Sequence, residues 1–191
     1  MFGNEHLKAL VECAGRALEY EDRYLAGCAC IRGWATKLTG ILGNVTERYY
    51  QFVVWSALMS SFPWRPHTEV KGGPTNHPYD LAFYKGDSDE IVALAEVKVL
   101  WGDRDEAHVP AVQTDIDMLK QASVPGVVLI MNGLRKVSAE EYLRWLGEKI
   151  KINREGFATY TFNALPHPDD PPGPVSFVVV GFFVPQDPAQ A

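Results

Sequence analysis

The chain has no disulfide framework and no long apolar run. It contains three cysteines in 191 residues, an odd number, and Cys28 and Cys30 are one residue apart rather than the two of common zinc pairs. This cysteine usage fits a reducing compartment. No stretch approaches the roughly 18 apolar residues needed to cross a bilayer, and the amino terminus shows no basic and apolar signal segments. We therefore expect a cytoplasmic protein without a membrane partner.

An excess of basic residues is also missing. The formal net charge is -6, with 18 Lys and Arg against 24 Asp and Glu. Domains that bind nucleic acid through bulk charge are usually basic. A role on nucleic acid must therefore be argued from a local site. An acidic surface would equally suit a basic protein partner.

Several familiar enzyme motifs are absent. The sequence has no Walker phosphate loop, no G-x-G-x-x-G after a strand and no G-x-S-x-G. What it does have is the composition of a globular protein, with 47% hydrophobic and 22% charged residues. Its length predicts one domain over residues 1–185, followed by a loose tail at 186–191.

The hydrophobic periodicity predicts alternating helices and strands. Helices are expected over about 5–25, from Asn44 or Thr46 through Met59, over 110–121 and over 138–151, and strands over 64–71, 79–85, 91–100, 127–131, 157–162 and 175–184, with a proline-rich loop at 166–174. The strand at 127–131 is apolar throughout, which is typical of a central position. This order predicts an α/β fold with a mixed central sheet flanked by helices and a helical N-terminal extension.

Two of the predicted strands bring charged residues together. The polar segment 86–90 has the length of a hairpin turn, and a turn centred on Ser88 places Asp80 opposite Glu96. Glu96 and Lys98 are two residues apart, so they point to the same face of their strand. Because opposed side chains lie about 5 Å apart at Cβ, two carboxylates and one ammonium should converge on one patch.

This patch interrupts a strand that is otherwise apolar, Ile91–Leu100. Burying unpaired charge costs several kcal/mol, and two adjacent carboxylates repel each other. A divalent cation would remove both penalties, and oxygen ligands suit Mg²⁺ or Mn²⁺. The alternative is a salt-bridge cluster of Asp80, Glu96 and Lys98 at the sheet edge.

The segment resembles the PD-(D/E)XK nuclease superfamily. The matching residues are Pro78, Asp80, Glu96 and Lys98, on a hairpin between two helices. Tyr79 separates the proline from the aspartate, so the pair is not contiguous. The family core of helix, three strands, helix and strand corresponds to about residues 44–132. The resemblance therefore implies a restriction-endonuclease-like core.

The resemblance also implies a chemistry. Asp80, Glu96 and the backbone carbonyl of Val97 would hold Mg²⁺ or Mn²⁺, and Lys98 would orient or help to deprotonate the attacking water. The reaction would be hydrolysis of phosphodiester bonds in DNA, with RNA as the alternative substrate. Many members carry a glutamate on the first core helix that completes the metal shell, and Glu47 has this position.

Other residues have weaker claims, each with a structural alternative. Glu47 also fits a capping box with Asn44. Gln113 corresponds to a polar residue that many members carry on the helix after the E-x-K strand, or is an ordinary exposed glutamine. Lys71, which opens a glycine-rich segment, and Arg104 are candidate substrate contacts. Glu69, on the first predicted strand, is a further candidate to reach the patch.

Two further readings of the sequence remain open. In the first, the chain is a nuclease fold without activity that serves in binding or assembly. In the second, it is an acidic interaction factor similar to an immunity protein. A homodimer through the last strand and the proline-rich loop is compatible with the sequence but not required by it.

Overall fold

The computed structural model describes residues 2–31, 41–42, 46–71, 78–165 and 175–185. Within these residues there are four α-helices and six strands. In chain order they are α1 (Asn4–Ile31), α2 (Glu47–Ser61), β1 (Arg65–Lys71), β2 (Pro78–Tyr84), β3 (Ile91–Leu100), α3 (Val109–Leu119), β4 (Gly126–Leu134), α4 (Ala139–Ile150), β5 (Phe157–Ala164) and β6 (Val175–Val184). The predicted helix start at Asn44, the glycine-rich segment after Lys71, the loop at 166–174 and the tail at 186–191 lie outside the described residues. No described helix combines the length and the apolarity that a membrane crossing requires.

The six strands form one mixed sheet in the order β1-β2-β3-β4-β6-β5. Strands β3 and β4 are parallel and are connected by α3, whereas the other neighbouring strands are antiparallel. Every residue of β4 is buried, as expected for an apolar strand with a neighbour on each side. The predicted α/β fold with a mixed central sheet is confirmed.

The helices cover both faces of the sheet. Residues of α1 and α2 pack on one face, where they meet Ala95 and Val97 of β3. Residues of α3 and α4 pack on the other face, where they meet Leu94 of the same strand. This alternation follows from the two-residue period of a strand. Glu96 and Lys98 lie two and four residues after Leu94, so they share its face of the sheet and face α3.

Helix α1 is longer than its sequence pattern predicts. We expected it to end near residue 25, but it continues through Gly27 to Ile31. The sequence predicts an earlier end because the apolar periodicity is less regular after residue 25 and glycine has a low helix propensity. Asp22 is buried, and its carboxylate accepts hydrogen bonds from the backbone of Ile41 at 2.7 Å and of Leu165 at 3.1 Å. Burial raises the pKa of Asp22, while these two bonds oppose the rise.

Helices α3 and α4 begin where their sequences predict. Pro110 lies in the first turn of α3, where a missing N–H costs nothing. Ser138 is the N-cap of α4, and its hydroxyl accepts from the backbone of Glu141 at 3.2 Å. The Glu141 carboxylate in turn accepts from the Ser138 backbone at 2.9 Å. This reciprocal pair is a capping box.

Candidate functional site

From Phe83 to the edge of the site, the β2–β3 hairpin has the register that the sequence predicts, whereas next to the turn Tyr84 pairs with Ile91, one residue off that register. Leu81 pairs with Ala95, and Ala82 pairs with Leu94. Continuing this register by one residue brings Asp80 opposite Glu96. The ladder pairs of the two strands end at Leu81, so Asp80 lies where β2 and β3 separate. We call this place the fork.

Beyond the fork, side-chain carboxylates accept hydrogen bonds from backbone N–H groups of β3. The backbone N–H of Val97 donates to Asp80 Oδ2 at 2.8 Å, and that of Val99 donates to Glu47 Oε2 at 3.2 Å. Buried backbone donors need an acceptor, and here side chains supply it in place of a strand. Asp80 and Glu47 are thereby fixed against the same strand, although they are 33 positions apart in the chain.

Glu96 is the most unusual residue of the fork. It is 2% exposed, and its Oε1 atom has no hydrogen-bond partner among the described residues. Burial raises the pKa of Glu96 to about 9, and the charge of Asp80 and a hydrogen bond with that residue add to the rise. A buried carboxyl group beside a second acid therefore holds a proton at neutral pH. Such a proton can be displaced by a cation that binds the same oxygens.

Lys98 supplies the positive charge of the site. Its Nζ lies 3.3 Å from Asp115 Oδ2 and 3.8 Å from Glu47 Oε1. Burial works to lower the pKa of Lys98, but the carboxylates of Asp115, Glu47 and Asp80 outweigh it and raise that pKa. Lys98 is therefore a fixed cation at neutral pH.

Asp115 of α3 is a site residue that the sequence analysis missed. It is 6% exposed and lies between the buried Val112, Ile116 and Leu119. Burial raises the pKa of Asp115 to about 6, against the lowering effect of Lys98. Its phase on the helix was the available signal, because Asp115 falls within the apolar stripe that faces the sheet.

The remaining sequence candidates lie outside this cluster of contacts. The Gln113 amide donates to Asp117 Oδ1 at 3.1 Å on the exposed side of α3. Lys71 is exposed at the last residue of β1, and Arg104 is exposed in the loop after β3. Val97 is the exception, because it is buried in β3 next to Glu96 and its N–H donates to Asp80.

The fork thus presents two adjacent carboxyl groups, of Asp80 and Glu96, and a lysine held by two further acids. In the part of the chain that the structure describes, no three His, Cys, Asp or Glu side chains stand as a ready metal-ligand group. Two carboxylates with water are nevertheless a common ligand set for Mg²⁺. Comparisons with protein-family models, with curated proteins and with solved structures found no match to this chain.

Proposed function

We propose that the protein is a Mg²⁺-dependent nuclease that hydrolyses phosphodiester bonds, with DNA as the first substrate to test and RNA as the second. The observation that carries the proposal is the buried Glu96 carboxyl group, which lies against Asp80 and has one oxygen without a partner in the part of the chain that the structure describes. Burying a carboxyl pair of this kind costs folding free energy, so a contribution to stability does not explain its presence. Perturbed acids that also form one cluster are typical of functional sites.

The order of elements supports a restriction-endonuclease-like core. Helix α2, strands β1 to β3, helix α3 and strand β4 follow one another as in the PD-(D/E)XK superfamily that the sequence resembles. The two acids and the lysine of that motif lie at the end of the β2–β3 hairpin. We therefore assign the proposed chemistry to the fork.

The oxygens of Asp80 and Glu96 fit a hard divalent cation. Within the described ranges Glu96 Oε1 lacks a partner, and oxygen-only donors favour Mg²⁺ or Mn²⁺ over softer metals. Asp80, Glu96 and the carbonyl of Val97 would hold the ion. When bound, such an ion lowers the pKa of water and offsets the charge of a reacting phosphate.

The protein's own groups then have distinct roles. Lys98 stays protonated, so we assign it the placement of water and the stabilisation of negative charge on phosphate oxygens, rather than proton abstraction. Glu47 and Asp115 hold the Lys98 ammonium from two helices. Glu47 also accepts from Val99, so its first role is to position the lysine and the strand.

The test is a nuclease assay with single-stranded and duplex DNA, and with RNA, in Mg²⁺. The wild type should cleave at least one substrate. Lys98→Ala should lower the rate by about 100-fold or more, and Asp80→Asn should do the same. Lys120→Ala is the matched control, because this exposed lysine pairs with Asp117 away from the fork. Activity that survives both fork substitutions would refute the assignment.

The competing role is a binding or assembly module. The net charge of -6 favours it, as an acidic protein can meet a basic partner. In that case the wild type would show neither cleavage nor Mg²⁺ binding, and Asp80→Asn would leave partner binding intact.

A further inference from the structure

A groove lies between α2 and β1 beside the fork. It has a volume of about 230 Å³, and Asp80 is one of its lining residues. Its α2 wall is formed by Arg48, Gln51, Phe52 and Trp55. These positions have the i, i+3, i+4, i+7 spacing of one helical stripe. Tyr50, Val54 and Leu58 form a different stripe of α2, which is buried in the core.

An aromatic surface lies in this groove. Phe52 is 58% exposed, and its ring centroid is 6.0 Å from that of Trp55. Trp55 is held in place because its Nε1 donates to the Pro66 carbonyl at 3.2 Å. An isolated exposed phenylalanine needs no explanation. Here, however, the exposed Phe52 ring packs near a fixed indole. The same ring lines a groove that contains Asp80, a proposed metal ligand.

The two walls of the groove carry opposite charges. Arg48 is exposed on α2, one residue after the Glu47 that engages Lys98. Across the groove, Glu69 of β1 is exposed and has a φ of 55°. This left-handed backbone is rare for a non-glycine residue. It occurs between the ladder pairs of Thr68 and Val70, at the position opposite Asp80.

These features match the parts of one nucleotide. A guanidinium pairs with phosphate, an exposed aromatic ring stacks on a base, and a carboxylate can accept from a base amino group. Pockets for drug-sized ligands measure about 300–1,000 Å³, so a smaller groove admits one planar group rather than a base pair. Within a duplex, both faces of a base are already covered by its neighbours.

We propose that this groove binds an unpaired nucleotide of a single strand beside the cleavage site, with its base on Phe52 and its phosphate on Arg48. The inference rests on the proposed nuclease function and specifies its substrate as single-stranded nucleic acid or a single-stranded end. Arg48 and Phe52 are then specificity residues, because they contact substrate away from the reacting phosphate.

The test measures binding separately from cleavage. Fluorescence anisotropy with a labelled 12-nucleotide oligo-dT and with an oligo-dT·oligo-dA duplex, both in EDTA, reports affinity without reaction. Phe52→Ala should weaken single-strand binding by about 5- to 150-fold and change duplex binding little. Arg48→Ala should weaken binding and reduce the slope of log affinity against log salt by about one.

Met59→Ala is the matched control, because Met59 is 51% exposed on α2 and is not among the groove-lining residues. Circular dichroism should show all three variants folded. Unchanged single-strand affinity in Phe52→Ala, an equal loss for both ligands, or no binding by the wild type would each overturn the inference.

Cleavage assays with Mg²⁺ separate this inference from the proposed function. Selective single-strand binding without cleavage would keep the groove assignment and refute the nuclease. Cleavage that Lys98→Ala abolishes but Phe52→Ala leaves unchanged on single strands would keep the nuclease and refute the groove assignment.

Discussion

The protonated state of Glu96 predicts how stability depends on pH. Burial and the neighbouring Asp80 raise the pKa of this group from its ordinary value of 4.5 to about 9 in the folded protein, whereas in the unfolded chain the pKa should be ordinary. Between these values the native state binds one more proton than the unfolded state. The free energy of unfolding must therefore fall as pH rises through this window.

The expected magnitude follows from one proton. Each pH unit within the window removes about 1.4 kcal/mol, so the wild type should lose about 2–3 kcal/mol between pH 6.5 and 8.5. Asp115, with a pKa of about 6, titrates largely below this range. Glu96→Gln keeps the shape of the side chain and removes its titration, so this variant should lose little stability over the same range.

The measurement is urea unfolding followed by circular dichroism, in EDTA, at both pH values. Asp117→Asn is the control, because Asp117 is an exposed acid of α3 whose pKa is lowered, chiefly by its hydrogen bond with Lys120. It should retain the wild-type slope. A wild type without this pH dependence, or a Glu96→Gln variant with the full dependence, would refute the reasoning.

Three further predictions concern stability at fixed pH, each checked by urea unfolding. Gly181→Ala should destabilise by about 1–3 kcal/mol, because the added Cβ would lie 2.4 Å from a Val11 methyl group. Gly27→Ala in α1 should stabilise by about 0.5–1 kcal/mol, because the added Cβ has no atom of the described residues within 4 Å. Asp22→Ala should cost about 1–3 kcal/mol, because two backbone donors lose their acceptor. Ser138→Ala should cost about 1 kcal/mol through loss of the cap. Equal stabilities of the two glycine variants, or losses below about 0.3 kcal/mol for the last two, would contradict these contacts.

The register near the site was predicted correctly, but the turn was not, because Tyr84 pairs with Ile91 rather than with Val92. A turn centred on Ser88 implies the pairing of Leu81 with Ala95, which the structure has. The strand period likewise puts Glu96 and Lys98 on one face. The distortion between Phe83 and Tyr84 was not predictable, because local irregularities depend on packing rather than on periodicity.

The support around Lys98 could be predicted only in part. Glu47 was a candidate from its helix, and the structure brings it to Lys98 and to Val99. The family resemblance points to Gln113 on α3 and not to Asp115, whereas the phase of the buried stripe identifies Asp115 as the residue that faces the sheet. The groove beside Asp80 could not be predicted from the sequence, because it depends on how α2 packs against β1.

The most direct test of the account is a calorimetric titration of the protein with Mg²⁺ and with Mn²⁺. The account predicts saturable binding by the wild type, with release of a proton, and loss of that binding in Asp80→Asn and in Glu96→Gln. Asp117→Asn should bind as the wild type does. A wild type that binds neither ion, or fork variants that bind as well as the wild type, would contradict the claim that these two acids form a metal site.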